Sequence, residues 1–132
     1  MVKFERRQKS DIFTDRCRFY ILSQGITLND KILNCLKINL DDSILNNVLD
    51  SNECKVSKDY QANTRVTIEK ALYNLEKHNK NVTIIDRNKA IELGNGFYRT
   101  VDNNVPLFFD QNHLSSHGGE VIGEYIMKEI TK

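Results

Sequence analysis

Long apolar runs are missing from this sequence. Its longest candidates, Phe19-Tyr20-Ile21-Leu22 and Val105-Pro106-Leu107-Phe108-Phe109, fall far short of the ~20 residues that cross a bilayer. The first residues carry charges but no apolar h-region, so neither a signal peptide nor membrane insertion is expected of this chain. Cysteine is sparse, with only Cys17, Cys35 and Cys54. An odd number without C-x-x-C spacing speaks against a zinc ribbon and against a complete disulfide framework. Three reduced, part-buried thiols are the simplest expectation; one disulfide plus a free thiol is the alternative for an exported domain. Net charge is also nearly absent, at +1, which excludes strong attraction to nucleic acid or anionic lipid. The stretch from Lys3 to Arg18 is locally basic and is expected to be a solvated face. Proline occurs once, as Pro106, and no internal repeat or low-complexity tract is visible.

What is present fits a single domain, 1–132, with one core: 132 residues, 39% of them hydrophobic and 28% charged, an ordinary globular balance. Residues 1–16 are polar and expected to be loosely ordered. Cys17 to Ser23 predicts a short strand, stopped by Gly25. Asn29 or Asp30 can cap a helix carrying Ile32, Leu33 and Leu36. A second helix, capped within Asp41–Ser43, would carry Ile44, Leu45, Val48 and Leu49. A longer helix is expected over about Tyr60 to His78, with Ile68, Ala71, Leu72 and Leu75 as its buried stripe and His78 at its dipole-favoured C-terminus. Val82-Thr83-Ile84-Ile85-Asp86 suits a strand of a parallel sheet. Helix, short turn and apolar strand in that order are half of a βαβ unit, so the fold class is α/β with a parallel sheet. Residues 87–106 are expected to be a long connection. A final amphipathic helix over Glu120 to Ile130 follows Gly118 and Gly119, with Ile122, Tyr125, Ile126 and Ile130 on one side.

Chemistry concentrates between Phe108 and Gly119. Asp110 and His113 stand three positions apart on an expected loop. Such a carboxylate can fold back onto the imidazole, accept the Nδ1 proton and leave Nε2 as a base. Other roles compete for these residues. Asp110, His113 and His117 have spacings that a metal would accept, but His117 reads better as a polar surface residue, and no metal or cofactor is expected. Ser115 and Ser116 lack an elbow or a base and are better read as a helix cap. Phe97, Tyr98 and Phe108 either line a cleft or pack in the core, and packing is favoured.

The segment Phe108-Phe109-Asp110-Gln111-Asn112-His113-Leu114-Ser115-Ser116-His117-Gly118 resembles the last block of the SGNH hydrolase superfamily, D-x-x-H continued as H-L-S-x-x-G. Asp110, His113, Leu114, Ser115 and Gly118 fall in place. The pattern is most similar to SGNH domains of bacterial membrane O-acyltransferases that acetylate surface polysaccharides, with an Ile-Asp strand, a variable loop and the terminal block in the same order. The resemblance runs from about Tyr60 to Ile130. It implies part of a flavodoxin-like three-layer sandwich, an acylated saccharide as substrate, and ester transfer or hydrolysis in which Asp110 orients and His113 acts as general base. Its relatives are membrane-tethered with this domain outside the cytoplasm, which leaves the location of this chain open.

The departures are equally specific. The family's nucleophile lies in a Gly-Asp-Ser block, and this sequence contains none; Ser10-Asp11 has the wrong order. The phrase Gly25-Ile26-Thr27-Leu28-Asn29-Asp30 misses the G-x-N-D spacing. Residues 87–109 lack the cysteine pair that many relatives carry, and only two or three strands are expected where the family has about five. The chain is therefore expected to be the C-terminal portion of such a domain and inactive alone, with a separate N-terminal half as its candidate partner. A non-catalytic binding or scaffold module and an unrelated interaction protein are the alternatives.

Overall fold

A computed structural model describes residues 17–37 and 54–132. The expected helix around Ile44 and the polar stretch 1–16 lie outside the described residues. Along the chain come β1 (Phe19–Leu22), the helical residues 30–37 (α1), β2 (Val56–Ser57), α2 (Lys58–Thr64), α3 (Val66–His78) and β3 (Val82–Ile85). A 3-10 turn (Arg87–Ile91) follows, then β4 (Glu92–Gly94), β5 (Phe97–Tyr98), β6 (Val101–Asp102), β7 (Val105–Pro106) and α4 (Ser116–Ile130). The chain is α/β, and its backbone contacts divide it into two compact units: Met1–Gln24 with Val66–Asp86, and Gly25–Arg65 with Arg87–Lys132.

The first unit holds the parallel pair. β1 runs beside β3 with Phe19 opposite Val82 and Leu22 opposite Ile85. The ladder is extended at both ends, where Phe19 N–H donates to Asn81 O and Ser23 N–H donates to Ile85 O. α3 leads into β3 through Asn79, whose side-chain amide donates to Leu75 O and closes the helix end. His78 sits in the last turn with Nδ1 2.7 Å from Asn74 O, as its helix-end position suggests. The apolar stripe of α3 is not buried as expected. Ile68 is 46% exposed, Ala71 is exposed and Leu72 and Leu75 are only half-buried. Two strands offer too narrow a surface to cover a four-turn helix face.

The expected single helix from Tyr60 to His78 is broken at Arg65. The Gln61 carbonyl, which a continuous helix would give to the Arg65 N–H, accepts instead from Thr64 Oγ1 at 2.9 Å and Arg65 Nε at 3.2 Å. The Arg65 N–H turns to Ala62 O. Side-chain competition for one carbonyl thus ends α2 without proline or glycine.

The second unit contains the larger core: Ile26, Leu28, Leu36, Ile91, Tyr98 and Leu107 are among its buried members, with Phe108 and Ile122 beside them. Tyr98 and Phe108 are therefore packing residues, as favoured from the sequence. The stretch expected to be a long connection is instead a 3-10 turn followed by two tight hairpins. β5 pairs antiparallel with both β2 and β4, and β6 pairs with β7. The β4–β5 turn uses Gly94, Asn95 and Gly96, all at positive φ, and the β6–β7 turn places Asn103 at φ 48° and Asn104 at φ 65°. Two consecutive left-handed residues make the mirror-type turn whose twist suits a hairpin, and asparagine tolerates it well.

The expectation of three reduced thiols is overturned. Cys35 on α1 and Cys54 before β2 form a disulfide, and Cys17 is free and exposed. Nineteen positions separate the pair, so only the tertiary fold, which sets both residues against the same core, brings them together.

Closing a loop of that length removes entropy worth about 3 kcal/mol from the unfolded chain. Cys35→Ser is expected to lower unfolding stability by about that amount, measured by denaturant titration. Unreduced protein should show one reactive thiol in the native state, assigned to Cys17; thiol counting that finds three would contradict the bridge.

Candidate functional site

The loop after β7 is built on the core and turned outward. Leu107 is fully buried; its N–H donates to Thr100 O and its carbonyl accepts from Ser115 N–H. Phe108 bridges to Leu114 across the loop, and Phe109 N–H donates to His113 O at 2.8 Å. Residues 108 to 114 therefore form a small hairpin whose tip is Asp110-Gln111-Asn112. Gln111 fastens that tip: its carbonyl accepts from Leu28 N–H at 2.9 Å and its amide donates to Asp30 Oδ1 at 2.7 Å.

Within the tip the carboxylate of Asp110 gathers three N–H groups. Oδ1 accepts from Asn112 N–H at 2.8 Å and from His113 N–H at 2.9 Å. His113 Nδ1 lies 2.8 Å from Oδ1 and 2.9 Å from Oδ2. An ionised carboxylate only accepts, so Nδ1 carries a proton, and in the neutral imidazole the lone pair then lies on Nε2. The Asn112 N–H first, and the His113 imidazole next, hold the Asp110 carboxyl below the usual carboxylate range. The two residues singled out from the sequence are thus brought into the expected contact. Both are well exposed, the imidazole at 75% and the carboxylate at 46%. Among the described residues no hydroxyl or thiol hydrogen-bonds to Nε2 of His113.

Ser115 does what the capping expectation asks. Its hydroxyl accepts from Gly118 N–H at 3.0 Å and donates to Pro106 O at 2.6 Å, which occupies it fully as an N-cap. α4 starts at Ser116, ahead of the glycines rather than after them. Gly118 is required there because a Cβ would collide with the Leu107 carbonyl. His117 therefore lies in the helix while His113 lies outside it, and the two share no helical face. His117 is not a bare surface residue either: its Nε2 lies 2.8 Å from Asp102 Oδ2, and Arg99 donates to Asp102 Oδ1 at 2.5 Å. This second aspartate–histidine pair escaped sequence reasoning because fifteen positions separate its members. It ties the β6–β7 hairpin to the start of α4, behind the loop that bears Asp110. Among the described residues no group of three or more metal-ligating side chains comes together.

A lowered carboxyl pKa has a defined pH signature. The fold favours the ionised form, so the loop's hydrogen bonds are complete above the ordinary aspartate range and are lost as pH falls through Asp110's own lowered midpoint. Carbon-detected NMR titration is expected to find that midpoint below the ordinary ~3.9. In His113→Ala it should rise only partly, because the larger contribution of the Asn112 N–H remains. Complete return to the ordinary value would assign the effect to the imidazole alone.

Comparison with known proteins adds the lineage. Residues 14–128 match the family described as SGNH domain (fused to AT3 domains). No curated protein and no solved structure matches the chain. The matched region takes in β1, the parallel partner β3 and the whole Asp110–His113 loop. The chain belongs to the family of SGNH domains fused to AT3 domains.

Proposed function

We propose that Asp110 and His113 are the acid–base half of an ester-processing site that transfers or removes O-acetyl groups on carbohydrate. The observation that carries this reading is the imidazole held through Nδ1 by both carboxylate oxygens, with Nε2 directed away from them. In such a pair Nε2 takes the proton of a serine hydroxyl as it attacks the acyl carbon. Donors around the carbonyl oxygen stabilise the tetrahedral oxyanion, and the imidazolium then protonates the leaving sugar oxygen. The acyl-enzyme is resolved by a second sugar hydroxyl or by water.

The nucleophile is the element this sequence does not contain. No Gly-Asp-Ser occurs in it, and Ser115 is committed to capping. In this proposal a serine-bearing partner, the N-terminal half of an SGNH domain, completes the site. The Cys35–Cys54 disulfide supports an oxidising, extracytoplasmic setting, where such bonds persist. A second reading, a saccharide-binding module that keeps the architecture without chemistry, is favoured by the lack of a hydroxyl hydrogen-bonded to Nε2 of His113 among the described residues.

Alone, the chain is expected to release acetate from a small chromogenic ester at the background rate, since a triad without its nucleophile keeps little activity. Turnover that disappears in His113→Ala would reveal a serine within this chain. Co-expression with the Gly-Asp-Ser-bearing half of a family relative should raise acetate release, and only with His113 intact. Equal release from the His113→Ala pair would remove the imidazole from the chemistry.

A further inference from the structure

Phe109 is 81% exposed, the most exposed of the large hydrophobic side chains among the described residues. Its neighbour Phe108 is buried at 7%. The contrast follows from the hairpin. Phe108 bridges to Leu114, and both face the core. The next pair outward is Phe109 and His113, joined by the 2.8 Å bond from Phe109 N–H to His113 O. Cross-strand partners leave a two-stranded ribbon on the same face. The benzyl ring and the imidazole therefore emerge side by side on the face opposite the core. The imidazole is held by Asp110, and the backbone of Phe109 by its bond to the His113 carbonyl.

A phenyl ring held in water beside a general base has a chemical meaning. Its faces carry partial negative charge and offer a broad apolar plane. A pyranose with equatorial hydroxyls presents axial C–H groups, weakly positive, on each face, and such a plane complements them without needing a polar partner. The cavity on the inner side of the loop, between Arg87, Asn88, Phe108, Asn112 and Ile122, has room for about one water at roughly 30 Å³. A sugar ring does not fit there.

We infer that Phe109 is a stacking platform for one pyranose ring of the substrate, setting an acylated sugar hydroxyl beside His113. This rests on the carbohydrate-ester reading above. It makes Phe109 a determinant of saccharide specificity, with no part in the proton transfers.

The test is saturation-transfer NMR on the full chain with O-acetylated xylo-oligosaccharides, irradiating the aromatic protons. Transfer to the axial ring protons is expected. Phe109→Ala should weaken binding about fivefold or more, while Phe109→Trp should keep it. Because the side chain is exposed, both variants should retain the wild-type amide spectrum elsewhere. No transfer at millimolar sugar, or equal affinity in Phe109→Ala, would overturn the platform. A concentration-dependent dimer that Phe109→Ala dissolves, with no sugar transfer, would overturn it as well and make the ring a protein contact. In the co-expressed pair, Phe109→Ala should raise KM for the oligosaccharide ester more than for the small chromogenic acetate. His113-dependent activity with no such split sinks the platform alone. Sugar binding that needs Phe109, without any restored activity, sinks the catalytic reading and leaves the platform standing.

Discussion

One carboxylate organises the functional end of this protein. Asp110 accepts from two backbone N–H groups and from the imidazole that follows it. In an ordinary hairpin the His113 N–H would return to the opposite strand; here it turns to the side chain. The tip residues are thereby wrapped around a negative charge instead of a peptide carbonyl. The same charge selects the Nδ1–H tautomer, which puts the lone pair of the neutral imidazole on Nε2. Loop shape and base orientation are consequences of one group, and neither survives its protonation unchanged.

That group would be useless on a drifting loop, and the core supplies the anchorage. Gly118 brings α4 against the Leu107 carbonyl with no room for a methyl. Ser115 then joins the helix start to Pro106 and Gly118. On the other side the tip is pinned through Gln111 to Leu28 and Asp30. The fixing bonds are mostly local or made to the backbone, which keeps a highly exposed imidazole in one place without burying it.

The local nature of this design explains what sequence could disclose. Asp110 and His113 are three residues apart, so their meeting was legible, as were the Ser115 cap, the strand at Val82–Ile85 and its partner at Phe19–Leu22. Contacts made across long separations were not. Nothing in the spacing of Cys35 and Cys54, or of Asp102 and His117, announces a bond. The break at Arg65 was hidden for another reason: helix propensity runs straight through it, and the competing hydroxyl and guanidinium act on a single carbonyl. The hairpins in residues 92–106 were signalled by Gly94-Asn95-Gly96 and Asn103-Asn104, whose left-handed backbone is a turn property. Reading that stretch by length rather than by turn chemistry concealed them.

The helix that failed to bury its stripe is the most instructive departure. Ile68, Ala71, Leu72 and Leu75 recur at the spacing that marks a core-facing helix, yet Ile68 stands 46% exposed, Ala71 is exposed, and Leu72 and Leu75 are only half-buried. Among the described residues, the sheet in that unit has two strands, β1 and β3, beside a helix of thirteen residues. The stripe and the absent Gly-Asp-Ser are independent features, one of packing and one of chemistry. Among the described residues that unit offers the helix two parallel strands, and the spacing of its apolar residues marks a face broader than they cover.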